Sequence, residues 1–317
     1  MDERELVDLL ALEDFTPVYK QADKIRKANV GDKVQIRGII EFSNICKRRC
    51  VYCGLNCTNN DIHRYKMSYK EILDSAKEAA EAGYRTIVLQ SGEDPNFEKE
   101  AFGELIREIK KLSVAITLSC GELDRRTLEY LKNQGADRYL LKHETSDPNL
   151  YRSLHPCGTL DERINCLKDI ADLGYETGSG FMIGLPGQTL NTIAKDILLL
   201  KELNCKMAGI GPFISHPKTP LAGQPNGSTE LTKRAVALTR IILPEANLPV
   251  TTSLGVINQQ EKENAFSCGA NVIMRKVTPD KYKESYEIYP AKLEKTQVKE
   301  DRRKLEEQII ALERVPV

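Results

Sequence analysis

Three cysteines close together in the chain have the residue type and spacing of a metal centre. Cys46, Cys50 and Cys53 are separated by three and then two residues, and Lys-Arg-Arg stands between the first two. Nearby cations lower the pKa of thiols, and thiolates select iron–sulfur clusters or zinc. Three thiolates are one fewer than a structural zinc site takes, but they can hold a 4Fe-4S cluster with one iron left open. The spacing therefore predicts such a cluster.

A zinc site is the alternative for the same segment, with Cys57 or His63 as its fourth ligand. The other cysteines are scattered without the spacing of a disulfide framework, which is typical of a reducing compartment. The first residues lack the cationic and apolar regions of a signal peptide, and apolar runs such as 197–200 are too short to span a bilayer. We therefore expect a cytoplasmic protein.

The composition favours a small molecule as the partner. The 317 residues include 46 Lys and Arg and 46 Asp and Glu, so the formal net charge is zero. Such a balance gives no attraction to nucleic acid or to an anionic membrane surface. A chain of this length is within the range of a single (β/α) barrel domain.

The elements that would position the cysteines are short apolar strands alternating with helices. This alternation is expected of repeated βα units around a parallel sheet. Eight strands predict a TIM-like (β/α)8 barrel, whose chemistry lies at the C-terminal ends of the strands. The predicted strands are 34–42, 86–90, 115–119, 138–143, 176–183, 207–212, 249–253 and 271–274, and the helices between them are 68–82, 98–111, 124–134, 160–173, 188–203, 230–243 and 260–267.

The chain divides into three predicted parts. Residues 1–33 form an N-terminal helical extension, with helices at 3–12 and 16–28, residues 34–290 form the barrel, and residues 291–317 form a charged C-terminal helix. That helix has only a thin apolar stripe, so we expect a peripheral helix with a solvated face. A glycine also follows four predicted helices, at positions 83, 135, 174 and 269, where a left-handed cap is favoured.

Polar residues stand where the second and third predicted strands end. In the segment 90–93, Gly92 lets a ligand approach the backbone closely, and Glu93 could hold a cationic amino group. Thr117 and Ser119 share one face of the third strand because side chains alternate with a period of two. Both hydroxyls are therefore candidates for the barrel lumen.

The fourth and fifth strands continue this pattern. Lys142 could bind an anion, Glu144 could accept from ribose hydroxyls or an ammonium, and His143 is favoured as a buried histidine over a catalytic base. Strand 176–183 is rich in glycine, which suits the close approach of a flat group such as adenine. It lacks GxGxxG followed by a helix and a distal acid, so nicotinamide binding is excluded.

Further candidates follow along the chain. Met207 and Ile210 lie in the sixth strand, and Thr251 and Thr252 end the seventh. Because adjacent strand residues face opposite sides, one of these threonines is expected to reach the lumen. Arg163 offers a bidentate fork for a carboxylate, although the residues alone favour a helix-surface arginine.

Longer phrases of the sequence resemble a known family. Cx3CxxC with the aromatic Tyr52 before its last cysteine is the signature of the radical S-adenosylmethionine (SAM) superfamily. Within it, residues 34–290 resemble the HydE family of FeFe-hydrogenase maturases, in the group that also holds biotin synthase and PylB. The matching phrases are CGLN after the cysteines, TIVLQSGEDP, ADRYLLKHET, RINCLKDIADLGYETGSGFMIGLPGQT, GIGPFISHPKTPL, ALTRIILP, PVTTSLG and CGANVIM.

The resemblance implies roles for the candidate residues. It implies that Cys46, Cys50 and Cys53 hold the cluster and that Glu144 and Arg163 hold SAM. It implies a substrate cavity lined by Thr117, Ser119, Met207, Thr251, Thr252 and Tyr286. The full predicted SAM set is Tyr52, Gln90, Ser91, Gly92, Glu93, Ser119, Glu144, Arg163, Met182, Met207 and Ile210, and the substrate or anion set is Thr117, Lys142, Thr251, Thr252 and Tyr286.

Two departures from the family pattern affect these expectations. HydE proteins commonly have arginine where this chain has Lys142, so a bidentate anion contact becomes a point charge. Many also carry C-terminal cysteines for a second cluster. No cysteine follows Cys268 here, so we expect one cluster.

The resemblance also implies a reaction. The enzyme would cleave SAM reductively to a 5′-deoxyadenosyl radical, with no catalytic residue beyond the cluster and SAM. The radical would act on a cysteine-bound iron carbonyl cyanide complex in assembly of the hydrogenase H-cluster. The implied partners are the maturases HydG and HydF and an electron donor of the ferredoxin or flavodoxin type.

Three other functions are compatible with the sequence. One is a PylB-like radical mutase that acts on an amino acid. Another is a carrier that binds an iron fragment in the polar lumen without SAM turnover. The third is a structural zinc protein.

Overall fold

Eight parallel strands form a ring at the centre of the computed structural model, which describes residues 1–290 and 297–317. Every hydrogen-bonded pair of neighbouring strands in the ring is parallel. The strands are β1 (Lys33–Ser43), β2 (Thr86–Ser91), β3 (Ala115–Ser119), β4 (Arg138–Leu140), β5 (Glu176–Ile183), β6 (Met207–Pro212), β7 (Pro249–Val250) and β8 (Val272–Lys276).

The strand order explains how the ring closes. Hydrogen bonds join the strands in the order β6-β5-β4-β3-β2-β1-β8-β7. Between β6 and β7 the backbone of Asn247 bridges the gap, since its N–H donates to Lys206 O at 2.8 Å and its carbonyl accepts from Ala208 N at 3.0 Å. The ring is thus nearly closed, and the predicted TIM-like barrel is confirmed.

Helices surround the ring and precede it. Four of them begin with a capping box, in which the first and fourth residues of the turn exchange side-chain and backbone hydrogen bonds. The helices are α1 (Glu3–Leu10), α2 (Thr16–Val30), α3 (Tyr69–Glu81), α4 (Lys99–Lys110), α5 (Arg125–Asn133), α6 (Pro148–Leu154), α7 (Leu160–Asp172), α8 (Leu190–Glu202), α9 (Thr229–Ile242), α10 (Thr252–Ile257), α11 (Gln259–Asn264), α12 (Asp280–Lys283) and α13 (Val298–Ala311). No helix of the described residues is long and apolar enough to cross a membrane.

Several predicted boundaries differ from the structure. Strand β4 ends at Leu140, three residues early, and β7 ends at Val250 because Thr251 caps the helix that follows. Helix α6 was not predicted, and the single helix expected over 260–267 is α11 and a 3-10 turn. The four predicted glycine caps all have positive φ, between 76° and 111°.

The C-terminal part of the chain is joined to the barrel. A helix was predicted over 291–317, of which residues 291–296 lie outside the described residues, and the observed helix α13 begins at Val298. It buries Leu305 and Ile309 and leaves Ile310 exposed, so only part of the predicted stripe contacts the core. A short strand, β9 (Val315–Pro316), then pairs with the start of β1. Helix α13 thus has one buried stripe and a largely exposed charged face, whereas the strand that follows it was not predicted.

Candidate cluster and cofactor site

The cysteine loop leaves the C-terminal end of β1 and is held by polar contacts to its own backbone. The Asn44 side chain donates to His63 O at 2.8 Å and to Ser285 O at 2.6 Å. Arg64 donates to four carbonyls of the loop, including Asn44 O at 2.7 Å and Asn56 O at 2.6 Å. Neither Asn44 nor Arg64 was predicted, because their hydrogen bonds join residues that no local sequence motif connects.

The three predicted cluster ligands are half-buried thiols that influence one another electrostatically. Burial, together with the neighbouring Cys46 thiol, raises the pKa of Cys50 to about 12, and burial and Cys50 raise the pKa of Cys53. Buried thiolates this close to one another require a cation, which suits the positive irons of a cluster. No three His, Cys, Asp or Glu side chains within 1–290 and 297–317 converge to hold a single metal ion.

The loop after β2 lies directly against the cysteine loop. A Cβ atom on Gly92 would come within 2.4 Å of Ile45 O and 2.7 Å of the Cys46 Cβ atom. Lys47 N also donates to Glu93 O at 2.8 Å. A glycine is therefore required at position 92 for the two loops to meet.

The arginine side chains among the cysteines bond partners other than the three predicted ligands. Arg48 turns toward two carboxylates, and Arg49 Nε donates to the Sγ atom of Cys157 at 3.0 Å. This contact lowers the pKa of Cys157, whereas burial raises the pKa of Cys46. The Lys-Arg-Arg sequence was expected to lower the pKa values of the three predicted ligands, but burial raises all three, and the thiol with a lowered pKa is Cys157.

Two arginines and two glutamates form a buried ion network beside the loop. Arg48 lies 2.5 Å from Glu93 and 2.6 Å from Glu122, and Arg163 lies 2.6 Å from Glu122 and 4.0 Å from Glu93. Neighbouring carboxylates raise the pKa of Arg48 despite its burial. Glu93 and Arg163, both predicted SAM ligands, are brought together here, while Arg48 and Glu122 were missed.

The aromatic residue before the last cysteine is anchored by a histidine. The Tyr52 hydroxyl lies 2.9 Å from Nε2 of His155, whose ring stacks on Tyr151 at a centroid distance of 4.1 Å. Burial lowers the pKa of His155 to about 4, so the imidazole is neutral at neutral pH. Met182 belongs to the small apolar cluster against which Tyr52 packs. Only His155 and Tyr151 of this group were not predicted.

Glu144 has an unusual backbone conformation after β4. Its φ of 64° is in the left-handed region, and its carboxylate lies 2.9 Å from the Lys142 ammonium. The neighbouring His143 is fully buried, with Nδ1 2.9 Å from Ser179 Oγ. Asp196, also fully buried, accepts the Ser146 N–H at 2.5 Å. The side chains of Lys142 and Glu144 are therefore adjacent, and the buried His143 joins the segment to Ser179 of β5.

Some of the predicted residues line a cavity of about 280 Å³ at the C-terminal mouth of the ring. Gln90, Thr252 and Tyr286 contribute to its wall. Gln90 Nε2 donates to Ser119 Oγ at 3.4 Å, and Ser91 Oγ donates to Gly92 O at 2.8 Å.

Other predicted residues lie away from this cavity. Met207 is the first residue of β6, at the opposite end of the ring, where its sulfur accepts from Arg37 Nη1 at 3.0 Å. Ile210 packs in the main apolar core. Thr117 is buried and its hydroxyl has no partner among the described residues, and Thr251 bonds Ser253 Oγ at 3.2 Å.

Comparison with known sequences identifies relatives of this chain. Residues 40–200 match the model of the radical SAM superfamily. The chain is 50% identical over 276 residues to the FeFe-hydrogenase maturase subunit HydE of Thermotoga maritima, covering 87% of this chain and 79% of that protein. It is 30% identical over 297 residues to 3-methylornithine synthase of Methanosarcina acetivorans, covering 92% and 83%.

Solved structures agree with the fold. Methylornithine synthase PylB superposes with a TM-score of 0.89 at 26% identity, covering 99% of this chain and 94% of that chain. The FeFe-hydrogenase maturase HydG from Carboxydothermus hydrogenoformans superposes with a TM-score of 0.85 at 22% identity, covering 100% and 76%. At 22% identity, the similarity to HydG supports the fold alone.

Proposed function

Because the chain belongs to the radical SAM superfamily, and within it to the HydE family, we propose that it acts on a cysteine-bound iron carbonyl cyanide complex during assembly of the FeFe-hydrogenase H-cluster. As a superfamily member it is a SAM-dependent enzyme, and the family implies a 4Fe-4S cluster. The observation that carries the proposed substrate and its role in H-cluster assembly is the 50% identity to a HydE protein over 87% of the chain.

One cluster would be held by Cys46, Cys50 and Cys53. Their half-buried thiols, and the glycine that allows the next loop to meet them, support this assignment. When bound, the reduced cluster and SAM supply a 5′-deoxyadenosyl radical. The buried surroundings of the loop would keep water away from the reacting groups.

SAM would bind between the cysteine loop and the ends of β2 to β6. The carboxylate of Glu144, held by its left-handed backbone, would accept hydrogen bonds from SAM. The ion network of Arg163 and Glu93 would present a charged wall to the methionyl group of SAM. Tyr52, Gln90, Ser91, Gly92, Ser119 and Met182 complete the proposed SAM set. Met207, at the opposite end of the ring, and Ile210, in the apolar core, are not retained in it.

The substrate would occupy the lumen beneath the cluster. Thr117, Lys142, Thr251, Thr252 and Tyr286 are the proposed residues for the substrate or its anionic groups. HydG and HydF are the proposed partner maturases, and a ferredoxin or flavodoxin would be the electron donor in the cytoplasm.

A radical mutase acting on an amino acid is the second candidate. The 30% identity to 3-methylornithine synthase and the TM-score of 0.89 with PylB favour it. The higher identity to HydE ranks it second.

Product analysis distinguishes these candidates. Anaerobically reconstituted enzyme would be mixed with dithionite, SAM and either the cysteine-bound iron complex or L-lysine, and the products analysed by mass spectrometry. We expect an adenosylated sulfur product from the iron complex and no isomerised product from lysine. The reverse result would support the mutase, and binding of the iron complex without any release of 5′-deoxyadenosine would support a carrier.

A further inference from the structure

The cavity at the mouth of the ring carries charge that the proposed cluster and SAM ligands do not explain. It lies between the ends of β1, β2 and β8 and the segment 283–289. Besides the predicted Gln90, Thr252 and Tyr286, its wall includes Glu41 from β1 and Lys276 from β8. Neither charged residue was singled out by the sequence.

Glu41 has one carboxylate oxygen without a partner. The residue is 3% exposed, and its Oε1 atom lies 3.0 Å from Lys276 Nζ. Its Oε2 atom has no hydrogen-bond partner among the described residues. Burial raises the pKa of Glu41 to about 7, although two lysines lower it. A buried carboxylate oxygen without a donor is unfavourable, so a ligand that supplies an N–H would be stabilised there.

Lys276 provides the complementary group beside this oxygen. It is the last residue of β8, its side chain is 28% exposed, and its ammonium lies against Glu41. An ammonium has three N–H donors, so hydrogen bonds remain for a ligand. A carboxylate acceptor and a cationic donor thus stand side by side on the cavity wall. This is the pattern that complements the amino and carboxylate groups of an α-amino acid.

The cavity is adjacent to the cysteine loop. Gly54 N donates to Ile288 O at 2.9 Å, so the segment that covers the cavity is bonded to the loop. Tyr286, a buried residue of the cavity wall, directly follows Ser285, whose carbonyl accepts from Asn44 Nδ2 of the cysteine loop at 2.6 Å. A ligand held at Glu41 would therefore lie next to the proposed cluster.

We propose that Glu41 and Lys276 recognise the α-amino-acid group of the substrate, with Glu41 Oε2 accepting from its amino group and Lys276 Nζ donating to its carboxylate. The proposal rests on the proposed function, and both candidate substrates, a cysteine-bound complex and a free amino acid, contain this group. A ligand that lacks the amino group would leave the buried Glu41 Oε2 atom without a donor, and one that lacks the carboxylate would lose the hydrogen bond from Lys276, so both would be discriminated against.

Equilibrium dialysis of the reconstituted holoenzyme with SAM bound tests this pair. The probe is radiolabelled L-cysteine, and the competitors are 3-mercaptopropionate, which lacks the amino group, and L-cysteine methyl ester, which lacks the charged carboxylate. The variants are Glu41→Gln and Lys276→Met. The matched control is Lys110→Met, which breaks a lysine–carboxylate pair of 2.9 Å outside the cavity, at a lysine of similar exposure to Lys276.

We expect both cavity variants to bind L-cysteine about tenfold more weakly and the control to bind it normally. Glu41→Gln should weaken binding of 3-mercaptopropionate less than binding of cysteine, because that ligand has no amino group to lose. Lys276→Met should likewise weaken binding of the methyl ester less. This crossed pattern would not arise from general disorder of the cavity.

Three results would overturn the proposal. They are the absence of saturable cysteine binding to the unmodified enzyme, equal binding by all variants, and a parallel loss of SAM affinity, which would assign the pair to the amino-acid group of SAM. If Glu41→Gln does not fold, Lys276→Met with its competitor pattern decides. Failure of the unmodified enzyme to form 5′-deoxyadenosine would refute the proposed function separately, because the binding measurement does not depend on turnover.

Discussion

At the residue scale, the burial of Glu41 predicts how stability depends on pH. Its folded pKa of about 7 lies above the ordinary value of 4.5 because burial disfavours the charged form. Between these pH values the folded protein binds more protons than the unfolded chain. Stability from this group is therefore lost as the pH rises from 4.5 to 7, by about 3 kcal/mol at most.

The Glu41→Gln variant removes this term. Measured by thermal unfolding under anaerobic conditions, its stability relative to the unmodified protein should rise between pH 5 and pH 7.5. An exposed control, Glu100→Gln on α4, should show a constant difference, because water solvates that carboxylate in both states. A constant difference for Glu41→Gln as well would contradict the burial argument.

Residue types could be predicted from the sequence better than their partners. The cysteine spacing predicts the proposed cluster ligands. The strand-end pattern indicated Gln90 and Thr252, and the family resemblance indicated Tyr286, and these three line the same cavity. The pairing of Arg48 with Glu93 could not be predicted, because 45 residues separate them and only the fold brings them together. His155, which bonds Tyr52 from 103 residues away, was missed for the same reason.

At the element scale, the segment after β4 depends on Asp196 in α8. This fully buried carboxylate accepts the Ser146 N–H and lies 3.7 Å from His143 Nε2. Asp196→Ala should destabilise the protein by about 3 kcal/mol, because it leaves a buried N–H unpaired. It should also raise the KM for SAM more than it lowers kcat, because Glu144 loses support for its left-handed backbone.

A matched control for this element is Asp169→Ala on α7. Asp169 pairs with Arg125 at the surface, where such a pair contributes less than about 1 kcal/mol. An unchanged KM for SAM in Asp196→Ala, together with the expected loss of stability, would indicate that Glu144 is positioned by other contacts.

The glycine-rich strand β5 gives a second prediction at this scale. A Cβ atom on Gly180 would come within 2.1 Å of Gly209 O in β6. Gly180→Ala should therefore cost about 3 kcal/mol in thermal unfolding, since the two strands must separate. Gly187→Ala, where φ is +87° and no atom lies within 4 Å, should cost only about 1 kcal/mol. Equal costs would contradict the steric argument.

The same strand illustrates what the pattern of elements could not reveal. The sequence indicated that something approaches these glycines closely, and adenine was the suggested visitor. In the structure a Cβ atom on Gly178 would meet Met207 and Leu140 from the two adjacent strands, and one on Gly180 would meet Gly209. The glycines of the sequence indicate that some group lies close to the backbone, but only the folded structure shows which group that is.

At the scale of the whole molecule, the C-terminal segment is bonded to the N-terminal end of the ring, beside the start of β1. Arg314 is 8% exposed and donates to Asp32 O at 3.2 Å, Phe266 O at 3.2 Å and Ala270 O at 3.4 Å. Arg314→Ala should lower the free energy of unfolding by about 2 kcal/mol. Ile310→Ser, on the exposed side of α13, should change it by less than about 0.5 kcal/mol. Similar melting temperatures for both variants would refute this role for the tail.

The eight strands of the barrel could be predicted from the sequence because strand and helix patterns alternate regularly along the chain. Strand β9 could not, because two residues at the end of the chain carry no pattern of their own and pair with Lys33 and Val34 far away in sequence. Local patterns therefore indicated the ring, while its closing contacts depend on residues that only the folded chain brings together.

Spectroscopy of the reduced protein tests most directly the claim that three thiols hold a cluster that binds SAM. Anaerobically reconstituted protein would be reduced with dithionite, its electron paramagnetic resonance spectrum recorded with and without SAM, and 5′-deoxyadenosine measured. We expect a reduced-cluster signal that changes when SAM is added and 5′-deoxyadenosine that accumulates, with both lost in Cys50→Ala and kept in Cys57→Ala. Bound zinc without a cluster signal, or an unchanged response in Cys50→Ala, would contradict the account.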